Sequence, residues 1–132
     1  MWRSHAPIVL VMATFRYLVN DVENSVLFYT QFLDFKVEQQ FGPAMAIVSR
    51  NDVTLWLAGP MSSAARPMPN GDTPKPGGWN RFVVVVDDLQ SVVTKLKTQD
   101  VPFRNEIVSG PSGQQILCED PSGNVIEIFQ PA

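Results

Sequence analysis

What this chain has little of limits what it is. Its one cysteine, Cys118, has no partner for a disulfide within the chain and suits a reducing compartment. Its one histidine, His5, lies far off in sequence, so Cys118 reads as a small buried hydrophobe in a strand rather than a nucleophile. Charge is sparse: 10 basic against 13 acidic residues leave a net charge of -3 and no basic stripe, which argues against nucleic acid as a partner. The apolar run at residues 8–13 follows Arg3 and His5 in the manner of a short signal peptide. It is too short to cross a bilayer, and no clear cleavage motif follows it. A cytoplasmic protein with no membrane contact is expected. Residues 8–13 then form an added strand, and Met12 is an alternative start.

The 132 residues, 45% apolar and 17% charged, suffice for one folded domain with a real core. Near the end stands Asp120-Pro121-Ser122-Gly123-Asn124. Proline presets φ there, the aspartate and asparagine side chains bond back to the backbone, and glycine accepts positive φ. A strand follows at once, with Val125, Glu127 and Phe129 on one face and Ile126 and Ile128 on the other. A carboxylate thus sits in mid-strand among apolar neighbours, either at a solvated edge or at a ligand position.

The pattern occurs twice. A short apolar strand running into Asp21 and then an amphipathic helix is matched, 66 positions later, by Phe82 to Val86 running into Asp87 and Asp88. The segment 52–57 answers the strand at 124–129 at an offset of 72. Val22, Val26, Tyr29, Phe32 and Leu33 recur at helical spacing, as do Leu89, Val92, Val93 and Leu96. Strands are expected at 14–20, 35–40, 44–50 and 53–58, then at 81–86, 103–108, 115–119 and 124–129. Between the halves, residues 59–78 carry five prolines, which remove amide donors and argue for a long loop without helix. Such a loop is either a plain connector or a flap over the site.

These motifs resemble the glyoxalase, bleomycin-resistance and ring-cleaving dioxygenase superfamily, also called the vicinal oxygen chelate fold. The resemblance implies an α+β fold of two βαβββ modules forming a cup-shaped mixed sheet around a ligand. Module one takes residues 12–58, a Pro/Gly-rich linker 59–79, and module two 80–130. Metal-dependent relatives place one ligand on each of four strands, and the matching positions here are Thr14, Leu55, Arg81 and Glu127. Only Glu127 is a metal-competent donor, so the resemblance is to the metal-free branch, with no metal and no cofactor expected.

Such a chain is expected to bind an unknown small molecule in an apolar cup, as in sequestration of an antibiotic, and to form a homodimer. Phe41, Met45, Trp56, Trp79 and Phe129 are the candidate walls, with Thr14 and Leu55 at the former ligand positions and Arg16, Arg81 and Glu127 as anchors. The net charge of -3 suits a cationic drug of the bleomycin type. Two alternatives stand beside this. One is a metal-free lyase or isomerase with Glu127 as general base and Arg81 or Arg16 stabilising an oxyanion. The other is a regulatory or structural subunit with a filled cup. Arg81 and Glu127 are expected to pair, because a carboxylate alone among apolar groups is costly to keep charged.

Overall fold

In the computed structural model, residues 13–132 are described. Strand β1 (Ala13–Leu18) leads into helix α1 (Val22–Phe32), then β2 (Lys36–Phe41), β3 (Met45–Arg50) and β4 (Val53–Ala58). After the linker come β5 (Arg81–Val85), α2 (Leu89–Thr98), β6 (Val108–Gly110), β7 (Gly113–Glu119) and β8 (Val125–Pro131). Each half forms a four-stranded mixed sheet, ordered β1-β4-β3-β2 and β5-β8-β7-β6. In both, the first strand runs parallel to the last and the remaining pairs are antiparallel. This is the expected α+β fold of two βαβββ units. The expected added strand at residues 8–13 falls, but for Ala13, outside the described residues, as do Arg3, His5 and Met12. Among the described residues no helix is long and apolar enough to cross a membrane.

The helices start and stop by the same local chemistry. Asp21 accepts a hydrogen bond from the Asn24 amide at 3.0 Å, and Asp88 accepts one from the Ser91 amide at 3.1 Å, each satisfying a first-turn donor. Beyond each helix an aspartate turns the chain through the left-handed region, Asp34 at φ 59° and Asp100 at φ 58°. The second cap is therefore Asp88, not Asp87, and Thr14 and Arg81 each stand seven residues before their cap.

Two expectations need correction. The strand expected at 103–108 is only an isolated bridge, Phe103 to Cys118, and β6 begins at Val108. Pro102 offers no amide, and the Asn105 side chain, not a backbone carbonyl, takes the Leu117 amide at 2.9 Å. The linker also contains one 3-10 turn, Ser63–Ala65, in its proline-free stretch.

The helix-facing residues of both sheets build a single core. Phe82 of β5 lies 5.6 Å from Tyr17, 5.9 Å from Phe35, 6.0 Å from Phe15 and 6.4 Å from Tyr29, ring to ring. Cys118 is fully buried in that core, and burial pushes its thiol up to about 12. The turn before β8 locks the halves together. Buried Asp120 accepts hydrogen bonds from the Tyr29 hydroxyl, the Asn124 side chain and the Ser122 and Asn124 amides, all within 3.0 Å. Asn124 in turn donates to the Leu18 carbonyl and accepts from the Gly77 amide. Burial raises the Asp120 carboxyl above its usual range, against the lowering effect of those donors.

Candidate functional site

The faces of the two sheets away from the helices carry the site candidates. In β1, Phe15 and Tyr17 turn into the core, which leaves Thr14 and Arg16 exposed on the opposite face. The parallel register sets Thr14 beside Thr54 and Arg16 beside Trp56. Leu55 alternates with these and is fully buried in the core, so it does not share their face. In module two the register sets Arg81 beside Val125 and Val83 beside Glu127. Counting from the two caps, Trp56 is therefore the counterpart of Glu127, one residue on from the position expected. Single-residue alternation makes that slip move the side chain from one face to the other.

The residues brought together on module one are Thr14, Arg16 and Trp56. The Arg16 guanidinium carbon lies 4.8 Å from the Trp56 ring centroid, within cation–π range. Phe41, 48% exposed, pairs with Met45 at the far end of the β2–β3 hairpin. On module two, Arg81 and Glu127 do meet. The Arg81 Nη2 and Nε donate to the same oxygen, Glu127 Oε1, at 3.0 and 3.1 Å, and the two side chains are 32% and 12% exposed. Among the described residues no hydrogen bond reaches Oε2. Trp79 is 67% exposed at the end of the linker, and its carbonyl accepts from Arg81 Nη1 at 3.4 Å. Phe129 lies beside Gln115 and lines a hollow of about 160 Å3 under the β6–β7 hairpin.

Three further groups escaped the sequence reading. Arg104 donates to Glu119 at 2.7 Å, to the Gly78 carbonyl at 2.7 Å and to the Gly123 carbonyl at 3.1 Å. It also lies 4.4 Å from the Trp79 ring centroid, so it clamps the returning linker to the turn before β8. On module one, Ser49 donates to the Glu38 carboxylate, and Lys36 lies 3.6 Å from the same group. The Ser49 hydroxyl and then Lys36 hold the Glu38 carboxyl below its usual range. A register shift between Val37 and Gln39 accompanies this contact, and nothing in the sequence signals it. Lys36, Glu38, Ile47, Ser49, Asn51 and Thr54 line a hollow of about 620 Å3. A hollow of about 670 Å3 opens at the strand ends near Asn20, Gln40 and Met61 rather than over either sheet.

The residues at the four corresponding positions are thus Thr14, Trp56, Arg81 and Glu127. A hydroxyl, an indole, a guanidinium and one carboxylate already engaged by that guanidinium do not fit a divalent metal. Among the described residues no three of His, Cys, Asp and Glu stand close enough to hold one.

Two tandem βαβββ units with this strand order, and a potential site on the sheet faces opposite the helices, define a class of paired-module proteins. The model of the Glyoxalase/Bleomycin resistance protein/Dioxygenase superfamily matches residues 11–128, and the chain belongs to that superfamily. No curated protein matches it significantly. Among solved structures, it is similar to TnmS3, an antibiotic binding protein from Streptomyces sp. CB03234, with 26% identity, 97% of this chain and 100% of that one covered, and a TM-score of 0.71. A lactoylglutathione lyase from Agrobacterium tumefaciens shares the fold at 18% identity, with 95% and 96% covered and a TM-score of 0.69. The fosfomycin resistance protein FosX from Listeria monocytogenes does so at 8% identity, with 95% and 96% covered and a TM-score of 0.71.

Proposed function

We propose that this is a metal-independent small-molecule-binding protein, of the kind that sequesters an antibiotic. The observation that carries the reading is the donor set: Trp56 and an Arg81–Glu127 ion pair stand where a chelating shell would need donors. Trp56 with Arg16 on module one, and Arg81 with Glu127 on module two, supply the planar aromatic and the directed polar groups with which a binding cup orients an organic ligand. The 26%-identical antibiotic binding protein supports the same reading. In a thermal-shift screen, an organic compound from an antibiotic panel is expected to raise the melting temperature, and Mn, Ni and Zn salts are not. Elemental analysis giving a stoichiometric metal ion, lost in Glu127→Ala, would sink it.

A homodimer is part of the proposal. Among the described residues β1 and β5 each have one strand neighbour, and Val83 and Val85 of β5 are 43% and 53% exposed. Open edges and exposed valines favour cover by a second copy. Light scattering should give about twice the chain mass of 14.7 kDa; a value near the chain mass at micromolar concentration argues for a monomer.

A second reading, a metal-free lyase or isomerase, rests on the Glu127 Oε2, which accepts no hydrogen bond from the described residues and stands beside a guanidinium. Turnover of a bound compound that Glu127→Gln abolishes while binding persists would favour it.

A further inference from the structure

The charges on the open sheet faces do not balance, and the imbalance runs against the charge of the whole chain. Three carboxylates stand there, and each has its own cation: Glu38 with Lys36 at 3.6 Å, Glu119 with Arg104 at 2.7 Å, and Glu127 with Arg81 at 3.0 Å. Arg16 is the fourth cation, exposed, and among the described residues no carboxylate meets it. Counted over the described strands and their ion-pair partners, a chain of net charge -3 therefore presents one surplus positive charge on the faces proposed to hold a ligand.

Arg16 is also oriented. Its guanidinium carbon is held 4.8 Å from the Trp56 ring centroid, and among the described residues no acceptor takes its N–H groups. Those groups form a planar fork suited to two parallel hydrogen bonds with a carboxylate. Next along the sheet stands a row of hydroxyls: Thr14 beside Thr54, and Thr54 beside Ser49. Thr54 and Ser49 line the hollow of about 620 Å3, with Ile47, the strand partner of Trp56, as an apolar wall.

We infer that the open face of module one takes a planar aromatic acid carrying one negative charge, its carboxylate on Arg16 and its ring against Trp56 and Ile47. The inference rests on the ligand-binding reading above and names the ligand class for it. It also departs from what the net charge of -3 suggests by itself, which is a cationic ligand.

Isothermal titration calorimetry at low ionic strength with naphthoate, naphthamide and naphthylmethylammonium tests it. The three probes share a ring system and differ in charge. Naphthoate should bind about tenfold or more tighter than naphthamide, as a charge-assisted hydrogen-bonded pair warrants, and the ammonium probe weakest. The preference should shrink with added salt, because Arg16 is exposed. Arg16→Gln should bring naphthoate down to the amide, and Arg16→Lys should keep an anion preference. Equal binding of the three probes, preference for the ammonium, or an anion preference that survives R16Q overturns this inference and leaves the binding reading standing. Failure of all three probes while a compound from the thermal-shift screen binds overturns this inference alone. Failure of every compound overturns both.

Discussion

A carboxylate in mid-strand is tolerated here because of one neighbour. Glu127 is 12% exposed, and two donors of Arg81 converge on its Oε1. Removing the guanidinium leaves that charge poorly hydrated and uncompensated. Arg81→Leu is therefore expected to cost about 2 kcal/mol, between the value of an exposed pair and that of a fully buried one. Urea denaturation checks this, and a loss below about 0.5 kcal/mol would show that water already does the work of Arg81. Alternation in β8 was legible from Ile126 onward: Ile126 and Ile128 are fully buried and Glu127 and Phe129 are not, while Val125, beside Arg81, is buried as well. The same logic failed in β4. There, 53–58 is apolar or small on both faces, so nothing local marks Trp56 rather than Leu55 as the residue facing away from the helices.

At the scale of elements, the Asp21 cap and the turn before β8 were readable because each acts within a few residues, whereas the adjacent Asp87 and Asp88 left the second cap one residue out. The β6–β7 hairpin was not, and its geometry hangs on one glycine. Gly113 adopts φ 146°, and a Cβ there would collide with the carbonyl of Gln130 on β8. Gly113→Ala should therefore cost about 2 kcal/mol or more, through strain and a disturbed β7–β8 end. The hollow beneath Phe129 should change with it. Thermal melting alongside a Gly110→Ala control, where no atom lies within 4 Å of the added Cβ, separates this clash from a general effect of losing a glycine. Equal melting temperatures would refute it.

The whole molecule is tied together by its only two tyrosines. Tyr17 donates to the Val125 carbonyl at 2.8 Å and Tyr29 to Asp120 at 2.8 Å, so each joins module one to module two. Burial pushes Tyr17 up to about 12 from an ordinary value of 10.0. Burial, with the Asp120 carboxylate beside it, raises Tyr29 well above the same value. The folded chain therefore holds both phenol protons more tightly than the unfolded chain does. Their stabilising contribution is whole below pH 10.0 and is lost as pH rises above it, for Tyr17 toward about 12. Tyrosinate absorbance should appear only together with loss of the native tryptophan fluorescence. An ordinary titration centred near pH 10.0 with the fold intact would contradict the buried inter-module contacts.

What the sequence determined by itself is the grammar of each half. Two aspartate-capped helices, most of the strands around them and the proline-bearing connector are fixed by side chains acting on their own neighbours, and two such halves carry the resemblance to the superfamily. Tertiary structure alone decided which residues share a surface. The register of β4 against β1 set Trp56 beside Arg16, a register shift accompanied the meeting of Glu38 with Ser49, and the fold carried Arg104 to Glu119, Gly78 and Trp79. The reason is physical. Alternation and capping are local, whereas the partner of a charge is chosen by strands that meet only after the chain has folded, and a shift of one residue reverses every face.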